Sequence, residues 1–97
     1  MKVAYSPRAF EDLAEIAAYL RPLNPSAATR VKAAILATVQ IVSVFPGIGR
    51  QDTVGGVRRI GVRRFPYSIY YLVDPNAEEI VVLTIRHDAR DASGLDA

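Results

Sequence analysis

The sequence predicts an α+β fold in the order β-α-α-β-β-β, a helical hairpin packed on one face of a small antiparallel sheet. Three observations carry that prediction. Two apolar segments with helical spacing each open on a Pro-containing start signal, Ser6-Pro7 and Asn24-Pro25. A loop with four glycines, Gly47 through Gly56, follows them, and beyond it the apolar period falls to two. From there to Arg86 the chain is rich in Val, Ile and Tyr and is broken by the turn signal Asp74-Pro75-Asn76-Ala77.

Ser6 suits the cap of the first helix and Pro7 its first position. Phe10, Leu13, Ile16, Ala17 and Leu20 form one apolar stripe, with Arg8, Glu11, Asp12 and Glu15 falling largely on the other side. Arg21-Pro22 ends this helix. Asn24-Pro25 restarts the chain, and no Gly or Pro interrupts it from Ala27 to Phe45, where Pro46-Gly47 stops it. After Lys32 this second helix is apolar nearly all round: Ala33, Ala34, Ile35, Leu36, Ala37, Val39, Ile41, Val42, Val44 and Phe45. Such a helix requires neighbours on more than one side. The short link predicts an antiparallel αα-hairpin. Three strands are expected at Val57–Arg63, Tyr67–Val73 and Glu79–Arg86, with Lys2–Tyr5 a candidate for a further short one. The tail Ala92–Ala97 is expected to fray.

At 97 residues the chain fits one domain, 1–97, and excludes scaffolds on the scale of an eight-stranded α/β barrel of about 250 residues. With no cysteine and one histidine, neither disulfides nor a transition-metal site are expected. Nucleotide loops and nucleophile elbows are missing, since Gly47-Ile48-Gly49 follows a helix rather than a strand. No cofactor is therefore expected. The first residues lack an apolar signal core, and no apolar run reaches the roughly 18–20 residues of a bilayer span. A cytoplasmic location without a membrane partner is the expectation.

The net charge is only +2, from 12 basic and 10 acidic side chains, yet the cations are unevenly placed. Between Arg50 and Tyr71 stand Arg50, Arg58, Arg59, Arg63 and Arg64 against the single acid Asp52, a local balance of five minus one. Tyr67, Tyr70 and Tyr71 are interleaved. Arginine with aromatics suits single-stranded nucleic acid, an acidic partner peptide, or a solvated strand edge. Strand alternation puts Arg58, Ile60 and Val62 on one side and Val57, Arg59, Gly61 and Arg63 on the other, and neither set is wholly polar. His87 closes the last strand beside Arg86 and ahead of Asp88 and Arg90. It suits a general acid or base in metal-free RNA cleavage, with Arg86 or Arg90 on the phosphate, and equally a structural hydrogen bond.

Several segments resemble toxins of the RelE/ParE superfamily. They are Tyr5-Ser6-Pro7, Asp12-Leu13, Ile16, Tyr19-Leu20 and Asn24-Pro25, then Phe45-Pro46-Gly47-Ile48-Gly49-Arg50 and Gly56-Val57-Arg58. Pro66-Tyr67-Ser68-Ile69-Tyr70-Tyr71 and His87-Asp88-Ala89-Arg90-Asp91 complete the pattern, which spans residues 2–91. The resemblance implies the toxin half of a bacterial type II toxin–antitoxin pair, with a small cognate antitoxin as partner. RelE-like members cleave mRNA on the ribosome, whereas ParE-like members are associated with poisoning DNA gyrase. RelE-like ribonucleases have an Arg where this chain has Ser68, and lysines where it has Arg59 and Gly61. Arg90 matches a cleavage arginine, but no Tyr follows it, and His87 is common to both branches. The chain therefore resembles the ParE-like branch, which implies gyrase as target. The alternatives are a RelE-like mRNA endoribonuclease and a non-toxic interaction module. Arg58, Arg59, Arg63, Arg64 and Tyr70 are the expected binding surface, with His87 nearby; His87 and Arg90 are catalytic in the ribonuclease alternative. The second helix is expected to supply part of an antitoxin groove, unless its own sheet covers it.

Overall fold

The computed structural model describes residues 1–90. It orders them as β1 (Lys2–Tyr5), α1 (Pro7–Leu20), α2 (Pro25–Val44), β2 (Arg50–Gln51), β3 (Arg58–Gly61), β4 (Tyr67–Asp74) and β5 (Glu79–His87), closed by a 3-10 turn at Asp88–Arg90. The tail 91–97 and the side chain of Arg90 lie outside the described residues.

Both helices begin where their caps dictate. The Ser6 hydroxyl accepts from the Ala9 amide at 3.0 Å, and Asn24 Oδ1 accepts from the Ala27 amide at 3.0 Å. Ser6 also donates to the Leu83 carbonyl at 2.6 Å, so one side chain starts α1 and fastens it to β5. The α1 stripe is as expected for Leu13, Ile16 and Leu20, which pack on the core. Phe10 departs from it: 61% exposed, it leans on Tyr5 with ring centroids 5.6 Å apart. Asp12 departs in the other direction and is buried.

The sheet runs β1-β5-β4-β3-β2 and is mixed, a correction to the antiparallel expectation. The candidate strand at Lys2–Tyr5 forms and pairs parallel with Glu79–Val82, adding a neighbour from the far end of the chain that local turns do not reveal. Strand β2 lies inside the expected loop and pairs antiparallel with β3, Arg50 opposite Arg59 and Gln51 opposite Arg58. The strand expected at Val57–Arg63 is shorter because the chain turns early: Val62 donates to the Tyr67 carbonyl and Phe65 to the Val62 carbonyl. A shift between Tyr70 and Tyr71 pairs them with Thr84 and Val82 and leaves Leu83 without a β4 partner. That irregularity turns the Leu83 carbonyl to Ser6.

The core lies between the helices and one sheet face. Val31, Ile35 and Val39 of α2 and Ala9 of α1 meet Tyr67, Ile69, Val82 and Ile85; Val42, Tyr71 and Ile80 continue it. The apolar α2 has the expected neighbours on more than one side, α1 and the sheet, but they do not surround it. One line of the helix is core, whereas Ile41 and Val44 on the opposite line are exposed. By length and composition α2, with mean hydropathy 1.4, also meets the requirements of a membrane span, which the run-length expectation missed because Arg30 and Lys32 interrupt it.

Candidate functional site

The register of β3, β4 and β5 divides the expected binding residues between two faces and a turn. Arg58 pairs with Tyr71 and Ile60 with Ile69, so this set looks toward the helices. Arg59 pairs with Tyr70 and Gly61 with Ser68, on the face away from them. His87 pairs with Tyr67, whose ring is in the helix-side core. Tyr70 and His87 are therefore on opposite sheet faces, correcting the expectation that they are neighbours. The four arginines do not form one surface either.

Each arginine has its own setting. Arg58 Nη1 donates to the Gly49 carbonyl at 2.7 Å and reaches the Gly47 carbonyl at 3.5 Å, holding the loop after α2. Arg59 Nε donates to the Ser68 hydroxyl at 3.2 Å, and that hydroxyl donates to Asp88 Oδ1 at 2.6 Å. The Arg59 guanidinium lies 3.8 Å from the same oxygen, which closes a small ionic network. Above Tyr70 the guanidiniums of Arg59 and Arg86 each lie 5.8 Å from the ring centroid, within cation–π range. Tyr70 itself is fully buried, so it supports these cations rather than offering a free ring. Arg63 and Arg64 stand exposed in the β3–β4 turn. Arg64 has φ 75, a left-handed backbone that side chains rarely adopt.

Because Arg58 spans from β3 to the carbonyls at both ends of Gly47–Gly49, Arg58→Ala should loosen that loop by roughly 1–2 kcal/mol. Faster amide exchange at Ile48–Arg50, with β4 and β5 unchanged, is the expected readout.

On the helix side an open cleft of about 370 Å³ lies between α1 and the ends of β4 and β5. Arg8, Glu15 and Tyr19 line one wall, and Tyr67, Arg86 and His87 the other. The His87 and Tyr67 rings meet edge to face, 5.2 Å between centroids. His87 Nδ1 accepts from the Ala89 amide at 3.1 Å, which places the hydrogen of the neutral ring on Nε2. The cleft was not anticipated, since its α1 wall is made of residues that periodicity reads as a solvated face. The Ser68–Asp88 link was missed too. Its only sequence signal was a small polar residue within a run of aromatics.

Comparison with known proteins places this architecture. In the structure of the chromosomal ParDE system from P. aeruginosa, the matching chain is 28% identical, with a TM-score of 0.78 over 90% of this chain and 95% of that one. The intact E. coli RelBE toxin–antitoxin complex matches at a TM-score of 0.57 and 16% identity, over 87% and 92% of the two chains, a likeness of fold alone. The fold is thus that of RelE/ParE superfamily toxins. A curated relative, "Putative toxin Y4kP" of Sinorhizobium fredii, is 31% identical over 86 residues, 89% of this chain and 86% of its own. The family model described as ParE toxin of type II toxin–antitoxin system, parDE, matches residues 3–92, and the chain belongs to that family.

Proposed function

We propose that this protein is the toxin of a ParDE-type module, that it inhibits DNA gyrase by binding it, and that a cognate antitoxin neutralises it. The single observation that carries the reading is the ParE family match across residues 3–92. The departures from the ribonuclease pattern at Arg59, Gly61 and Ser68 lean the same way. Ser68 and Arg59 are occupied with Asp88, an arrangement that steadies the open sheet face rather than presenting a cleavage pair. Among the described side chains of the expected residues, Arg63 and Arg64 are the exposed cations, and a left-handed Arg64 in a tight turn supports a contact role. Arginine forks suit carboxylates on a protein partner. Binding is in the cytoplasm on this reading, where the target resides.

The test uses purified toxin, gyrase and relaxed plasmid. Supercoiling should be inhibited, and Arg63→Glu with Arg64→Glu should raise the inhibitory concentration about tenfold or more, the scale of one or two lost charge-assisted contacts. Adding the antitoxin should restore supercoiling. Full gyrase activity at every toxin dose, together with codon-positioned mRNA cuts lost in His87→Ala, would instead establish the ribonuclease. Silence in both assays with harmless expression would leave an interaction module.

A further inference from the structure

The cleft between α1 and the ends of β4 and β5 has no part in the gyrase reading, whose contacts fall on Arg63 and Arg64. At about 370 Å³ it is near the lower limit of ligand pockets, a size for one long side chain or a small molecule. Its lining is apolar at Ile16 and Ile85, both packed on the core. Its walls are aromatic. Tyr19, 66% exposed, stands on α1, and the edge-to-face pair of Tyr67 and His87 stands opposite.

The charges around the cleft decide the sign of what enters it. Arg8 is the one cation of α1, and Asp12 holds it at 3.0 Å. Its pKa is raised by the hydrogen bond and charge of Asp12, then by Glu15 and Glu11, so carboxylates outweigh it along this wall. Arg86 lines the cleft from β5, but its guanidinium lies 5.8 Å above Tyr70, on the far face of the sheet. His87, accepting at Nδ1, adds a neutral ring. Glu15 is left unmatched. It makes no hydrogen bond or ion pair among the described residues, and it stands one turn before Tyr19 on the same face of α1. We propose that this cleft binds a guanidinium on an alkyl stem, the side chain of an arginine from a protein partner. The stem lies along Ile16 and Ile85, the flat head rests on the Tyr19 ring, and its N–H fork meets the Glu15 carboxylate. Arginine suits the site better than lysine, because a planar head stacks on a ring and bonds a carboxylate through two parallel N–H groups. A carboxylate or phosphate would instead face Glu15 and find Arg8 already engaged by Asp12.

The probe is arginine capped at both ends, N-acetyl-arginine amide, titrated into the isotope-labelled full chain and followed by NMR. It should shift the amides of Glu15, Tyr19 and His87 with a dissociation constant on the order of 1–10 mM, as one ring contact and one ion pair allow. The citrulline analogue, of the same shape but uncharged, should bind roughly tenfold more weakly. Glu15→Gln, at an exposed helix position, should weaken arginine to a similar degree and leave the melting temperature near that of the parent. Free arginine, whose own ammonium and carboxylate replace the peptide groups, should bind no more tightly than the capped form. Tighter binding of free arginine would make this a site for an amino acid and overturn the proposal. So would the absence of shifts at any concentration, equal binding of citrulline, or shifts produced by N-acetyl-glutamate amide or inorganic phosphate in place of arginine. Each of these outcomes is independent of whether gyrase is inhibited.

Discussion

Asp12→Ala is expected to lower the unfolding free energy by about 3 kcal/mol, the loss on removing one partner from a buried, charge-assisted network. Asp12 lies on α1 with 5% of its surface exposed, and one carboxylate oxygen takes both the Thr84 hydroxyl and the Ile85 amide, the latter at 3.0 Å. These bonds matter because β1 pairs with β5 only as far as Val82. Beyond that point β5 has no strand on its outer side, and the Asp12 carboxylate takes the place of a strand carbonyl. Removing it leaves the Ile85 amide and the Thr84 hydroxyl unsatisfied between α1 and the sheet. The Arg8 guanidinium, 3.0 Å from the other oxygen, is held above its usual pKa by that hydrogen bond and charge. Arg8 is well exposed, so Arg8→Ala should cost little. Urea unfolding followed by circular dichroism checks both variants. For a domain of this size, the Asp12→Ala loss corresponds to a fall in melting temperature of roughly 12–24 °C. A loss no larger than that of Arg8→Ala would show that Asp12 is not the link between α1 and β5.

The helical hairpin was legible because its signals are local. Ser6 and Asn24 cap the helices within three residues of the amides that donate to them, and the apolar positions repeat with helical period. What the sequence did not show depends on residues far apart in the chain. Asp12 reads as polar surface until Thr84 and Ile85 are brought against it, 72 and 73 positions later. The parallel partnership of β1 with β5 has no turn to announce it, and β2 is too short to show a period. The candidate site was legible as composition but not as geometry. The arginine excess is real, yet strand alternation sends Arg58 and Arg59 to opposite faces, where each has internal work. Among the described side chains of the expected set, Arg63 and Arg64, in a turn that periodicity had assigned in part to a strand, are the exposed cations.

Gly49→Ala is expected to be the second severe change, at about 3 kcal/mol, the upper end of the usual cost of overpacking. The glycine-rich loop after α2 closes over Tyr71, which is fully buried. The Tyr71 hydroxyl accepts from the Gly49 amide at 2.9 Å and donates to the Pro46 carbonyl at 2.8 Å, pinning both ends of the turn. A β-carbon at Gly49 would lie 2.6 Å from that hydroxyl oxygen, 2.9 Å from the ring carbon Cε1 and 3.0 Å from the Arg59 carbonyl. The ring has no room to retreat among Val42 and Ile80, and the carbonyl belongs to β3. Close approach, rather than a left-handed backbone, therefore requires glycine here. Tyr71→Phe should cost about 2 kcal/mol on its own, because the Gly49 amide then stays buried without an acceptor. Combining the two changes removes the nearest clash along with the hydroxyl, so the double variant should be more stable than the sum of the singles predicts by at least ~1 kcal/mol. Additivity within about 0.5 kcal/mol in the double-mutant cycle would mean that the strain of Gly49→Ala falls on the Arg59 carbonyl and not on Tyr71.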